Sequence, residues 1–162
     1  AHLSTGNYNP GTARVYTDLS YLTADDALTA DIDQIFLHLA SQNRLGRLNK
    51  ALMAPFLLHK AMLDKLAAAG EAAARGEEVR ITLKMNALTD EPLARALAAA
   101  SQQGARVDLI VRGACVLPAG VPGFTDNVRV RSIIGRMLEH SRVFLFRVGT
   151  TEELWLSSAD WM

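Results

Sequence analysis

The chain has 162 residues with 17 basic and 17 acidic side chains, a formal net charge of zero. That balance excludes a uniformly basic nucleic-acid coat and a polybasic membrane anchor, while leaving room for a local basic pocket. At 49% hydrophobic and 21% charged the composition is that of a globular domain rather than a disordered segment. Its single cysteine, Cys115, rules out an internal disulfide framework and fits a reducing compartment, so a cytoplasmic location is expected, at most peripheral to the inner membrane. No apolar run approaches the roughly 20 residues that span a bilayer. The chain lacks an initiator methionine and a signal peptide, and both ends stop inside loops with functional character, so a piece of a larger protein is the expectation.

Residues 3–18 read as a strand end followed by a turn-rich loop around Asn9-Pro10-Gly11. Residues 25–40 suit a helix with Leu28, Ile32, Ile35, Phe36 and Leu39 on one side. The polar stretch 41–46 is the best boundary, dividing the chain into units 1–50 and 51–162. A second helix is expected from Pro55, with proline in its first turn, to about Ala69; Leu58, Met62 and Leu66 form its stripe and Gly70 and Gly76 a soft exit. Residues 79–86, VRITLKMN, alternate apolar and polar as a strand does. Asp90 and Pro92 open a helix that stops at Gly104, and residues 106–112 form another strand. Strand, helix and strand in so short a span make a βαβ unit with parallel, adjacent strands. Ligands of such sheets bind at the carboxyl ends of the strands, which here carry Lys84, Asn86 and Arg112.

The last stretch is a hairpin, with residues 142–148 going out, 149–153 turning and 154–158 returning. His140 and Arg142 stand at the head of its first strand and, two residues apart, project together. The returning loop, Ser157-Ser158-Ala159-Asp160, sets hydroxyls and backbone N–H groups beside them. An imidazole next to a guanidinium and hydroxyl donors suits phosphoryl chemistry. The chain also repeats itself: Leu3-Ser4-Thr5-Gly6-Asn7-Tyr8 falls on Leu156-Ser157-Ser158-Ala159-Asp160-Trp161, position by position in type.

The layout resembles the phospholipase D superfamily, whose signature is H-x-K on one strand and G-S-x-N on the next, altered here to H-S-R and S-S-A-D. That superfamily builds one site from two halves that each donate a histidine. The resemblance makes the two copies of the loop the return loops of two halves, with the histidine of the first half upstream of residue 1. GNYNPGTARVYTDLSYLT, APFLL, KMNALTD, AAASQQGARVDLIVRGACVL, NVRVRSIIGRMLEHSRVFLF and LSSADWM are in addition similar, in order and over essentially the whole chain, to the C-terminal region of the bacterial polyphosphate kinase family. The implied fold is α/β: phospholipase D-like half-domains with a mixed, partly parallel sheet flanked by helices. Unit 1–50 is then the C-terminal part of the first catalytic domain and unit 51–162 most of the second.

The resemblance implies a reversible transfer of the ATP γ-phosphate to inorganic polyphosphate through a phosphohistidine upstream of this chain. It places the family's nucleotide-contacting tyrosine on Tyr16, its phosphate-binding arginine on Arg112 and its second catalytic histidine on His140, with magnesium ligands upstream. One departure is Ser4, where the family loop begins with glycine. Supporting roles fall to His2, Asp18, Lys84, Asn86 and Arg142. Each has a plainer rival. Asp18 either accepts a hydrogen bond from the nucleotide or caps the next turn. Lys84 and Asn86 either line the pocket or sit on the polar face of a strand, and His2 either acts directly or serves as a hydrogen-bond partner beside the site. Arg129, Arg131 and Arg136 either guide a polyanion or form a solvated face, and Cys115 reads as a small buried hydrophobe. His38 and His59 have no partners at ligand spacing, so no metal site is expected in this chain. The expected partners are ATP or ADP, polyphosphate and further copies of the chain in a homo-oligomer, without nucleic acid or membrane span. Two other functions stay open: a phosphodiesterase or phosphatidyltransferase, which would be expected to keep the signature lysine and asparagine, and a non-catalytic polyanion-binding module with steep salt dependence. The isolated chain is expected to be inactive.

Overall fold

The computed structural model describes residues 1–41, 44–55 and 57–162. Two positions of the expected boundary, 42 and 43, lie outside the described residues. The N-terminal segment holds β1 (His2–Ser4), a one-turn helix α1 (Pro10–Ala13), β2 (Tyr16–Thr17), β3 (Ser20–Leu22) and α2 (Asp26–Ser41). The larger unit follows with α3 (Leu58–Ala74), β4 (Val79–Met85), α4 (Glu91–Gln102), β5 (Arg106–Val111), β6 (Val128–Arg131), β7 (Leu138–Glu139), β8 (Arg142–Val148) and β9 (Thr151–Ser157).

The main sheet has the order β6-β5-β4-β8-β9, in which β4, β5 and β6 run parallel and β8 and β9 antiparallel to their neighbours. This is the mixed, partly parallel α/β sheet expected from the sequence, with the βαβ unit β4-α4-β5 inside it. The alternation in VRITLKM sorts the strand as read: Val79, Ile81, Leu83 and Met85 are buried, with Val107, Leu109, Phe144 and Phe146 beside them, under α3 and α4. α4 begins where Asp90 accepts the N–H of Leu93 at 2.8 Å and stops before Gly104, whose φ of +108° suits glycine.

On the opposite face of the sheet, Asp108 is buried beneath three arginines: Arg80 and Arg106 reach its Oδ2 at 3.1 and 3.3 Å and Arg131 its Oδ1 at 3.6 Å. Arg131 is thus committed to a carboxylate, while its neighbour Arg129 stays exposed.

Several expected boundaries shift. The Ala54–Pro55 bond is cis and the Leu57 N–H donates to the Met53 carbonyl, and α3 begins at Leu58 and not at Pro55. The helix does not soften at Gly70 but runs through it. A Cβ there would lie 1.9 Å from Gln103 Oε1 and 3.3 Å from Ala100 Cα, so the glycine is where α3 and α4 approach most closely, and packing overrides its low propensity. The hairpin turn shrinks to Gly149-Thr150, with Gly149 at a φ of +56° donating its N–H to Glu78. Asn9-Pro10-Gly11 is the capped start of α1, the Asn9 side chain accepting from Gly11 and Thr12. Strand β2 lies within the stretch expected to be a loop, and β3 follows beyond it.

Helix α2 forms as expected, but the core covers little of its apolar stripe. Phe36 and Leu39 are 66% and 61% exposed, while Leu28, Ile32 and Ile35 line a cleft of about 820 Å³ with Trp155 and Leu156 opposite. Its buried residue is polar: Asp31 accepts the backbone N–H groups of Asn49, Lys50 and Ala51 at 2.6–2.9 Å, tying the segment before α3 to the helix. Burial pushes the Asp31 carboxyl upward, and these backbone donors, Ala51 first, outweigh it and hold the group below its ordinary value. Among the described residues no helix is long and apolar enough to cross a membrane.

Candidate functional site

The parallel strands β4 and β5 end at Met85 and Val111, and β8 begins and β9 ends at the same edge. Lys84, Asn86, Arg112, His140, Arg142 and Asp160 therefore meet along one rim. The N-terminal segment closes over it. β2 pairs in parallel with β7, and the carbonyl of Thr17 accepts the N–H groups of His140 and Ser141 at 3.1 Å each.

His140 sits just before β8 rather than on it, held by those two backbone bonds. Its Nδ1 lies 3.0 and 3.1 Å from the two oxygens of Asp18. A carboxylate only accepts, so Nδ1 carries the proton and Nε2 keeps its lone pair. Asp18 in turn accepts the hydroxyl of Thr5 at 2.8 Å. The ring of Tyr16 packs on the imidazole with centroids 4.7 Å apart. The Nη1 of Arg142 lies 3.2 Å from Nε2 and 3.4 Å from Nδ1. Near-equal distances to both nitrogens place it over the ring, because the same distances in the ring plane would drive it into Cε1.

The cations at this rim differ in what neutralises them. Arg142 makes a bidentate pair with Asp160, Nη2 to Oδ2 at 2.9 Å and Nε to Oδ1 at 3.2 Å, and its Nη1 donates to the carbonyls of Thr5 and His140 at 3.0 and 3.1 Å. Both side chains are over nine-tenths buried, at 9% and 7% exposure. Asp160 also accepts the Asn86 backbone N–H at 2.7 Å and its amide at 3.3 Å. Burial pushes the Asp160 carboxyl upward, but Arg142 and then the Asn86 N–H outweigh it and hold the group below its ordinary value. Lys84 reaches Ser141 Oγ at 2.6 Å, the Ser141 carbonyl at 3.0 Å and Glu139 at 3.2 Å. Arg112 donates one Nη1 bond to the Glu139 carbonyl at 2.8 Å and has no carboxylate partner among the described residues. It is the cation whose charge is left over for an anion.

The fold thus brings His140, Arg142, Asp18, Tyr16 and Arg112 together. Lys84 and Asn86 are in the same region, but each is occupied in holding a loop, Lys84 the 139–141 segment and Asn86 the 157–160 segment. His2 lies elsewhere, its Nδ1 2.8 Å from the hydroxyl of Tyr8, which is 74% exposed. His59 pairs with the capping Asp90 at 3.2 Å. Cys115 is partly buried against the core. Among the described residues no group of three or more His, Cys, Asp or Glu stands close enough to hold a metal ion.

Thr5, Gly6 and Ser141 are site-building residues that the sequence reading passed over. The repeat held the signal for the first two. Ser4 Oγ accepts the N–H of Gly6 at 3.0 Å, and Ser157 Oγ accepts that of Ala159 at 3.0 Å, so the matching loops turn by the same hydrogen bond. Ser4, the departure from the family loop, caps its own turn.

These features define a mixed α/β protein whose sheet edge gathers a carboxylate-held histidine with one paired and one unpaired arginine. The family model described as polyphosphate kinase C-terminal domain 2 matches residues 51–162, and the one described as polyphosphate kinase C-terminal domain 1 matches residues 1–45. The chain belongs to the polyphosphate kinase family. It is 52% identical over all 162 residues to the polyphosphate kinase of Pseudomonas putida and 49% identical to that of Neisseria meningitidis serogroup B. It spans only 22% and 24% of the length of those relatives. The crystal structure of polyphosphate kinase from Porphyromonas gingivalis matches 99% of the chain with a TM-score of 0.91 at 37% identity, and 26% of that chain is covered.

Proposed function

We propose that this chain contributes one wall of the site at which a polyphosphate kinase moves the γ-phosphoryl group of ATP reversibly onto inorganic polyphosphate, by way of a phosphohistidine outside these 162 residues. The observation that carries the reading is the pairing of a carboxylate-held imidazole with an uncompensated guanidinium at one strand edge. Arg112 supplies the positive charge that an equatorial phosphate oxygen needs in the transition state. His140, with Nδ1 donating to Asp18, presents Nε2 to the transferring group, as a base through its lone pair and, once protonated, as an acid or hydrogen-bond donor to a phosphate oxygen. Tyr16, tilted against that ring, would contact the nucleotide, as the family resemblance implies. Magnesium, implied by the family resemblance, would be held by residues upstream of this chain. In this reading residues 1–50 and 51–162 belong to two phospholipase D-like half-domains, and the site is made where they meet.

The test is acid-labile labelling with γ-labelled ATP, on this chain and on a chain extended upstream by about a hundred residues or more. Label confined to the extended chain, weakened by Arg112→Met and His140→Ala, supports the reading. Label on this chain that is lost in His2→Ala would make His2 the nucleophile and overturn it.

A further inference from the structure

We propose that Thr5 is the positioning residue that sets the imidazole of His140, an inference that rests on the phosphoryl-transfer reading of the site. Thr5 is 2% exposed and every polar atom it owns is committed. Its N–H donates to the Leu19 carbonyl at 3.0 Å and its carbonyl accepts Arg142 Nη1 at 3.0 Å. Its hydroxyl oxygen accepts the N–H of Leu19 at 3.0 Å. With that approach taken, the one hydroxyl proton points to Asp18 Oδ1 at 2.8 Å. One side chain and its own carbonyl thus hold two of the groups that touch the histidine ring, the carboxylate at Nδ1 and the guanidinium above it.

The next residue fixes the same carboxylate from the other side. A Cβ on Gly6 would lie 2.2 Å from Asp18 Oδ2 and 2.9 Å from Asp18 Cβ. The side chain of Asp18 is short and anchored at both oxygens, so it has nowhere to retreat without leaving His140. Thr5 pulls the carboxylate into place and the bare Gly6 makes room for it.

The consequence is a fixed tautomer. While Asp18 faces Nδ1, the proton sits there and Nε2 is the reactive atom. Thr5→Val keeps the shape and removes the donor, leaving Asp18 free to rotate and the Leu19 N–H unpaired. Thr5→Ser keeps the hydroxyl. In a polyphosphate kinase chain that includes these residues, Thr5→Val is expected to lower kcat about 10- to 100-fold, the range seen when a partner behind a reactive histidine is removed, with KM for ATP changed less than about threefold. Thr5→Ser is expected to recover most of the loss.

Nitrogen-15 spectra of His140 in the 162-residue chain give a readout that does not depend on activity. The unsubstituted chain and Thr5→Ser should hold the Nδ1–H form, and Thr5→Val should mix in the Nε2–H form. Gly6→Ala retains the hydroxyl but displaces Asp18, and should show the same mixing should Thr5→Val fail to fold. Kinetic constants within twofold of the parent for Thr5→Val, a Thr5→Ser variant as impaired as Thr5→Val, or an unchanged tautomer in both Thr5→Val and Gly6→Ala would each overturn the proposal. If the longer chain takes no label from ATP, the phosphoryl-transfer reading fails instead, and the tautomer still decides the role of Thr5.

Discussion

Arg142→Met removes one side of an ion pair that is almost fully out of water, and its cost follows from what is left behind. The guanidinium loses two bonds to Asp160 and two to the carbonyls of Thr5 and His140. Asp160 keeps the backbone N–H and the amide of Asn86 but no countercharge. Breaking a buried pair from one side costs about 3–5 kcal/mol, whereas replacing both partners by apolar groups of similar volume is far cheaper. With a urea dependence of about 2 kcal/mol per molar for a chain of this size, the midpoint should fall by about 2 M at neutral pH. The double variant Arg142→Met with Asp160→Leu should recover a good part of that loss.

The same difference should depend on pH. Asp160 is held below its ordinary value of 3.8 when folded, so its ionisation stabilises the fold above about pH 4. That contribution is lost as pH falls through the folded value. In Arg142→Met the countercharge is gone, so the gap between the two proteins should narrow as pH falls below 4. Asp31 is also depressed but is present in both proteins and cancels in the difference. Urea titrations of the parent, both single variants and the double variant at pH 7 and at a pH below the ordinary Asp160 value of 3.8 decide the matter. A loss below about 1 kcal/mol for Arg142→Met at pH 7, or a gap that widens on acidification, would refute the reasoning.

Three further outcomes are expected. Asp31→Ala removes the acceptor of three backbone N–H groups and should cost about 2–3 kcal/mol, with amide exchange at Asn49, Lys50 and Ala51 losing protection first. Gly70→Ala should be close to neutral in melting temperature, the gain of about 1 kcal/mol in helix propensity offset by the displaced end of Gln103, whereas Gly70→Leu should cost about 1–3 kcal/mol through the backbone at Ala100. Lys84→Met should weaken the chain's stability through Ser141 and Glu139, and, under the proposed function, spare most of the polyphosphate affinity of the chain extended upstream, while Arg112→Met should do the reverse, as equilibrium binding and thermal melts of the two variants would report.

The larger unit was legible because its signals are local and strong. The alternation in residues 79–85, the cap at Asp90 and the stop at Gly104 each describe a few neighbouring residues, and together they dictate the βαβ unit. The start of α3 at Leu58 and its passage through Gly70 were not legible. The latter is decided by contacts with Ala100 and Gln103 that no local pattern carries. At the site, spacing alone paired His140 with Arg142 and placed Arg112 at the binding edge. It did not reveal that Asp18, 122 residues from His140, would supply the carboxylate. Nor did it tell Lys84 from Arg112, because which cation is already neutralised depends on Glu139 arriving from a separate strand. The sequence offered Asp18 as a turn cap or a nucleotide acceptor, and did not show that its protein partners would be His140 and Thr5.

The two departures from the superfamily signature turn out to be one. Arg142 stands where the signature has lysine, Asp160 stands where it has asparagine, and the two side chains bind each other in a bidentate pair. A lysine facing a neutral asparagine keeps its positive charge for a substrate phosphate. An arginine facing an aspartate does not, and its planar fork is used to join Thr5, His140 and Asp160 across the two loops. The cation that the signature devotes to phosphate has here become a brace, and in the proposed reading the charge for phosphate falls to Arg112, just past the end of β5 and two strands away from β8. Restoring the signature with Arg142→Lys and Asp160→Asn together should therefore loosen the loops and leave polyphosphate binding still dependent on Arg112. If the restored pair made Arg112 dispensable for binding, the division of labour argued here would be wrong.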